Sequence, residues 1–332
     1  MKRKFLLLIL FPVLSLSVSA QFLPFRNFQA KDGLPSSEVY FVMQDHLGYM
    51  WFGTDAGISR YDGYSFQNFT TNDGLCDNTV FQLFEDRHQR IWCRTISGCI
   101  SYFRDGRFTT IGASTAIRGE MSNLLLTELY VDKNDTLWLG TQNKKIIRVA
   151  PPYTAQSMHV FPDSSTQVRI FDQGIVYSKG DMIGGQKGTQ ACVRFKNQFG
   201  SVLAADTVVD FFITRCVRED AEKTLIAFGK KLYRFASGRL TEIFSSDAII
   251  LSIYKDQQNR IWLGLIDNGL VILEQHQNAY RVSHRYLGND RLSFITRDYE
   301  GGTWISSLKN GVFYLPRQGI EQYTGNSGSD NR

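Results

Sequence analysis

Asp45-His46-Leu47-Gly48-Tyr49-Met50-Trp51-Phe52-Gly53-Thr54-Asp55-Ala56-Gly57-Ile58-Ser59-Arg60-Tyr61-Asp62-Gly63 states a pattern that returns along the chain. An Asp stands six residues before a Trp here, and again at Asp86 and Trp92, Asp132 and Trp138, Asp256 and Trp262, and Asp298 and Trp304. Aligning the gaps adds two worn copies, with Met182 and Ile226 where Trp would stand. The markers Trp51, Trp92, Trp138, Met182, Ile226, Trp262 and Trp304 lie 36 to 46 residues apart. That is the period of a four-stranded propeller blade, too long for leucine-rich or ankyrin units. The spacing predicts an all-β fold, a seven-bladed β-propeller of four-stranded antiparallel blades over residues 21–332.

Within one unit the signals keep an order. Val39-Tyr40-Phe41-Val42-Met43 is apolar, aromatic or β-branched, as strands are, and Asp45-His46-Leu47-Gly48 is turn chemistry. Met50-Trp51-Phe52, Ile58-Ser59-Arg60-Tyr61 and Tyr64 to Phe69 follow, separated by Gly-bearing turns. These are strands a to d of one blade, joined by short hairpins. Asn72-Asp73-Gly74-Leu75-Cys76-Asp77-Asn78 links one unit to the next, and Lys31 to Ser37 reads the same way. Two stretches compete to supply the last outer strand: Phe25-Arg26-Asn27-Phe28 and Gly319-Ile320-Glu321-Gln322-Tyr323.

The chain of 332 residues is 43% hydrophobic and 21% charged, a globular composition. A radial array buries its core between neighbouring sheets, so one ring suits this length without splitting into two domains. Residues 1–20 form a signal peptide: Lys2-Arg3-Lys4, an apolar run from Phe5 to Leu16, and Val18-Ser19-Ala20 before the cut. Removing its three basic residues takes the net charge from +5 to +2, spread without a basic run. Neither nucleic acid nor an anionic membrane surface is implied as a partner. No later stretch offers the ~20 apolar residues of a membrane helix, so no transmembrane segment is expected after cleavage. The five cysteines, Cys76, Cys93, Cys99, Cys192 and Cys216, are odd in number and scattered, which does not indicate a disulfide framework.

An Asp at a fixed turn position of successive units is read as a side chain bonding its own turn. The Trp series is read as interblade core. His46, His88, His159, His276 and His284 share no blade position that would gather them. No nucleophile elbow, phosphate loop or metal spacing appears, so neither catalytic residues nor a cofactor or metal is expected.

Asp32-Gly33-Leu34, Trp51-Phe52-Gly53-Thr54, Gly57-Ile58, Tyr61-Asp62-Gly63, Asp73-Gly74-Leu75, Trp138-Leu139-Gly140-Thr141 and Trp262-Leu263-Gly264 together resemble the two-component regulator propeller repeats of Bacteroidetes sensor proteins. The resemblance implies a periplasmic sensing region that binds a signal. In such proteins an immunoglobulin-like domain, a membrane helix and a histidine kinase usually follow, and none is legible here. The ending Thr324 to Asn331 reads like an interblade link, as though a longer protein were cut in mid-motif.

Topology selects a candidate binding face. The b–c turns and d-to-a links open together, and the b–c turns vary in sequence: Asp55, Arg94, Gln142, Lys144, Lys187, Asp267, Asn268, Lys309 and Asn310. Variable polar groups on a rigid ring make a ligand mouth. Arg94, Lys144, Lys187 and Lys309 there would suit an anionic or hydroxyl-rich ligand such as an acidic oligosaccharide. The expected function is therefore a periplasmic ligand-sensing propeller, with a propeller lyase or hydrolase and a protein-docking scaffold as alternatives.

Overall fold

The computed structural model describes residues 25–121, 125–142, 145–162, 167–171, 174–183, 186–195, 198–204, 215–277 and 279–317, with backbone alone for 162 and 167–204. The leader at 1–20 and the closing candidate at 319–323 lie outside the described residues.

A short strand, β1 (Arg26–Phe28), precedes the first complete sheet, β2 (Val39–Gln44), β3 (Met50–Thr54), β4 (Ile58–Tyr61) and β5 (Phe66–Phe69). The second is β6 (Val80–Glu85), β7 (Ile91–Thr95), β8 (Ile100–Arg104) and β9 (Arg107–Thr110). A helix, α1 (Ser114–Met121), leads to the third: β10 (Leu126–Val131), β11 (Leu137–Thr141), β12 (Lys145–Val149) and β13 (Met158–Pro162). The fourth holds β14 (Gln167–Phe171), β15 (Gly174–Ile183), β16 (Gln186–Phe195) and β17 (Gln198–Ala204). The fifth holds β18 (Arg215–Arg218), β19 (Lys223–Phe228), β20 (Lys231–Ala236) and β21 (Arg239–Ser245). The sixth is β22 (Ile250–Lys255), β23 (Ile261–Leu265), β24 (Leu270–His276) and β25 (Ala279–Tyr286). Last come β26 (Leu292–Arg297), β27 (Thr303–Ser307) and β28 (Val312–Leu315), and β1 returns to complete their sheet in the order β1-β28-β27-β26. The N-terminal candidate therefore closes the ring, with Arg26 opposite Tyr314 and Phe28 opposite Val312.

The seven like blades expected from the spacing are corrected to six. In six sheets the first turn holds an acidic residue whose N–H bonds the carbonyl four residues on: Asp45 to Tyr49, Asp86 to Arg90, Asp132 to Thr136, Glu219 to Lys223, Asp256 to Arg260 and Asp298 to Gly302. The fourth sheet breaks this anatomy. Its β14 and β15 join through two residues only, with Phe171 opposite Gly174, and its central strands run ten residues each. It is four-stranded and antiparallel, packing on β10 and β11, but it is not a seventh copy of the blade.

Both worn markers are corrected for a related reason. Met182 stands near the far end of β15 opposite Lys187, beyond the stretch that pairs with β14, so the unit is out of phase there. Ile226 is one residue late. Leu225 occupies the marker place, six residues after Glu219, and packs with Ile250 and Ile261 of the sixth sheet. Glu in place of Asp, and Leu in place of Trp, left no motif to align on.

Four of the five marker Trp rings wedge against the following sheet: Trp51 on Val80 and Leu83, Trp92 on Leu126 and Leu129, Trp262 on Leu292 and Ile305, and Trp304 on Val39 and Phe52. The Gly two residues after Trp lets the next sheet come close. A Cβ at Gly53 would lie 2.7 Å from the carbonyl oxygen of Val80, and one at Gly264 2.8 Å from that of Leu292. Either substitution would push adjacent blades apart.

Cys76, in the link before β6, is disulfide-bonded to Cys99, beside β8, so one bridge exists where no framework was expected. Cys93 is fully buried, and burial pushes its thiol up to about 12, which keeps it protonated and unreactive. The bridge closes a sequence separation of 23 residues. Cys76→Ser is expected to lower stability by ~2–4 kcal/mol in oxidising buffer. Urea midpoints that differ equally with and without reductant would contradict the bridge's contribution.

Candidate functional site

The link and b–c turn face is laced together by side chains. Asp77 Oδ2 accepts the N–H of Ser97 at 3.1 Å, and Asp290 Oδ1 accepts from the Ser307 hydroxyl at 3.0 Å and Asn310 Nδ2 at 2.7 Å. Asn27 Nδ2 donates to the Asn310 carbonyl at 2.8 Å, tying the closing strand into the same face.

The expected cation cluster does not assemble among the described residues. Arg94 lies in β7, not in a turn, and is buried. Its guanidinium donates to the Leu126 carbonyl at 2.6 Å and Gln82 Oε1 at 3.2 Å, so it clamps the second sheet to the third. Lys144 lies outside the described residues, and Lys187 is placed by backbone alone in β16. Asp267 is exposed and paired with Arg291. Asn268 is half-buried, Gln142 Oε1 accepts the Leu125 N–H at 2.9 Å, and Lys309 is exposed with its N–H on Ser307 Oγ.

Asp55 is the most informative of the set. Its Oδ1 is buried and has no hydrogen-bond partner, while its carbonyl accepts from Thr79 Oγ1 at 3.2 Å. Close by, the Tyr40 hydroxyl donates to Glu38 Oε1 at 2.7 Å. Burial, then that bond, then the charges of Glu38 and Asp55 push the Tyr40 phenol above its usual range. This part of the mouth is rich in acceptors, and a hydroxyl or amine donor would satisfy it.

Two clefts open on the opposite face, where the a–b turns lie. One, of about 380 Å³, sits between the sixth and seventh sheets and is walled by Tyr254, Arg260, Trp262, His284, Arg297 and Arg317. The other, of about 260 Å³, lies between the seventh sheet and the first and includes Arg26, Asp62, Asp298 and Glu300. The sequence reading passed over both. Only the Gly301-Gly302 pair, which opens the seventh turn, could have signalled the first.

The recurrent Asp bonds its turn as expected and also does more. Its second oxygen accepts the Trp indole N–H, at 2.7 Å for Asp45 and Trp51, 2.7 Å for Asp86 and Trp92, 2.9 Å for Asp132 and Trp138, and 2.8 Å in the last two pairs. The histidines stay dispersed: His46 pairs with Glu85, His159 packs on Phe161 and His284 stacks on Tyr286. Among the described residues no three His, Cys, Asp or Glu are placed to hold a metal ion.

Comparison with known proteins agrees with this picture. Over 60 residues, 18% of this chain, it is 40% identical to Histidine kinase P4 of Formosa agariphila, of which it covers 4%. The extracellular domain of a protein described as a hybrid two component system of B. thetaiotaomicron superposes with a TM-score of 0.65 at 17% identity, over 88% of this chain and 42% of that one. Virginiamycin B lyase of Staphylococcus aureus superposes with a TM-score of 0.63 at 13% identity, over 89% and 99%. At these identities the two structural likenesses are of fold alone. The chain spans under half the length of that two component system domain and 4% of the histidine kinase. Residues 33–56 match the family described as two component regulator propeller. The chain thus carries a two component regulator propeller repeat, the family that its Asp-Gly-Leu and Trp-x-Gly-Thr motifs resemble.

Proposed function

We propose that this propeller is the exported, non-catalytic sensory part of a two-component-type signalling protein and binds a small carbohydrate-like signal. The observation that carries the reading is the family repeat at residues 33–56, set in a ring whose solved likenesses include extracellular sensor domains. No helix among the described residues is long and apolar enough to cross a membrane. Transmission would fall to a membrane segment and kinase elsewhere in the same protein or in a partner. Signalling then works through the ligand's differential affinity for two arrangements of the propeller.

The acceptor-rich mouth around Asp55, Glu38 and Tyr40 supports a hydroxyl-bearing ligand. The test is thermal unfolding against neutral and acidic oligosaccharides. A true ligand stabilises by ~2.7 kcal/mol at a hundredfold excess over its dissociation constant. Asp55→Asn is expected to weaken that ligand by about tenfold, the scale of one hydrogen bond to a charged group. A cooperative transition that no sugar shifts would instead favour protein docking.

A further inference from the structure

Two turns, in the second and sixth sheets, share one plan, and the joint beside the second of them lacks a counter-ion. In the second sheet the turn Asp86-Arg87-His88-Gln89-Arg90 presents Arg90 toward the third sheet. Arg90 donates to Asp86 at 2.6 Å, to the Tyr153 hydroxyl at 3.1 Å, and to the carboxylate of Asp135 in the third sheet's turn. Its charge is neutralised from both sides.

The sixth sheet repeats the turn as Asp256-Gln257-Gln258-Asn259-Arg260, and Arg260 bonds Asp256 at 2.7 Å in the same way. The next turn is different. Where the third sheet has Asp132-Lys133-Asn134-Asp135-Thr136, the seventh has Asp298-Tyr299-Glu300-Gly301-Gly302. Gly301 falls at the Asp135 position, so the second carboxylate is missing. Two further guanidiniums, of Arg297 and Arg317, line the space in its place.

Asp256 cannot serve them. Its Oδ1 already accepts the N–H groups of Gln258 and Arg260, and its Oδ2 accepts Arg260 Nε and Trp262 Nε1. That fills a carboxylate's capacity of about four hydrogen bonds. Arg297 donates Nε to the Gly301 carbonyl at 3.0 Å and lines the cleft beside Tyr254. Among the described residues no carboxylate pairs with Arg297 or Arg317. The neighbouring cleft, between the seventh sheet and the first, shows that the cationic lining is particular to this place: there one Arg26 faces Asp62, Asp298 and Glu300.

We propose that the cleft between the sixth and seventh sheets is a binding site for a small cyclic carboxylate, whose acid group takes the position that Asp135 holds between the second and third sheets. Arg260, Arg297 and Arg317 receive the carboxylate, in the fork geometry that favours guanidinium over ammonium. The stacked rings of His284 and Tyr286 form the wall against which the ligand's ring lies, and Gln258 and Thr303 offer polar contacts at its edge. The site lies on the face opposite the b–c turns and does not depend on the sensory reading.

Gly301→Asp supplies the missing carboxylate from the chain itself. The backbone permits it, because Asp135 has φ 63° and Gly301 has φ 93°, both left-handed. The nearest atoms to a Cβ at Gly301 are Arg297 Nη2 at 2.8 Å and Arg317 Cδ at 3.1 Å, both on flexible side chains that can swing aside. The experiment titrates the purified chain with glucuronate, with glucose as its neutral counterpart and with inorganic sulfate. Trp fluorescence and the thermal midpoint are the readouts.

In the wild type, glucuronate should raise the midpoint and change the fluorescence while glucose does neither. Gly301→Asp should raise the midpoint without ligand and abolish the glucuronate response. Arg317→Gln should fold normally and bind about tenfold more weakly. The proposal falls if glucuronate has no effect on the wild type, if Gly301→Asp responds as the wild type does, or if sulfate matches glucuronate. A sugar that stabilises Gly301→Asp and the wild type equally would leave the sensory reading intact while placing its site elsewhere.

Discussion

Asp86→Ala is expected to lower stability by ~3–5 kcal/mol, the cost of leaving a buried charge without its partner. Asp86 and Arg90 are each only 7% exposed. The carboxylate accepts four hydrogen bonds at once, from the N–H groups of His88 and Arg90, from Arg90 Nε and from the Trp92 indole. Its removal strands the indole N–H against the third sheet and halves the neutralisation of Arg90. Asp135 still pairs with Arg90, so the loss belongs at the lower end of the range. Urea unfolding measures it, with Lys133→Ala, an exposed turn residue, as a control that should stay within about 0.5 kcal/mol of wild type.

The same residue gives the stability a pH dependence. Burial alone would raise the Asp86 carboxyl, but the bonds from Trp92 and Arg90 outweigh it and hold the group below the usual carboxylate range. Asp132 and Glu219 are lowered in the same sense. A carboxyl depressed in the folded state contributes fully above its unfolded value, about pH 4, and loses that contribution as pH falls through the folded value. Wild-type stability should therefore drop below about pH 4, and Asp86→Ala should drop less steeply. Parallel pH profiles for the two proteins would refute the assignment.

Phe28→Ala is expected to cost ~3–5 kcal/mol, the range for deleting a buried aromatic ring. Phe28 is 4% exposed, stacks on Trp304 with ring centroids 5.7 Å apart, and touches Tyr61 and Phe66 of the first sheet. Phe69→Ala is the informative comparison. Phe69 is equally buried and stacks on Trp51 in the same way, but it sits on a strand that adjoins its own blade in sequence. The two truncations remove the same ring, yet only Phe28 sits on the strand that closes the ring. A lower cooperativity of unfolding is expected for Phe28→Ala alone. Equal slopes and equal midpoints would mean that closure adds nothing beyond one blade's packing.

How far the residues alone reveal this molecule depends on which contacts are local. The Asp and Trp six residues apart are joined by a bond within one turn and hairpin, so wherever both occur the blade could be read directly. Glu219 and Leu225 fill the same places with different side chains, and the reading slipped by one residue. The fourth sheet has neither, and its two-residue hairpin follows another plan. Arg94 lies at a strand end that its local sequence does not distinguish from a turn, since Arg-Thr-Ile-Ser suits either. Its partners Gln82 and Leu126 are distant in sequence. The cleft of Arg260, Arg297 and Arg317 was invisible for the same reason: it is defined by what Gly301, on the neighbouring sheet, fails to provide.

The pairing of Arg26 with Tyr314 also sets an order of events during synthesis. The first strand to emerge has no partner until nearly the whole ring has been made. Until then β1 and β28 are both edges that invite pairing with other chains, and the nascent protein must be kept from finding such neighbours. Contacts this distant in sequence are slow to form. Completion of the ring is therefore a late step, and the yield of folded protein will depend on how long the waiting segment is shielded.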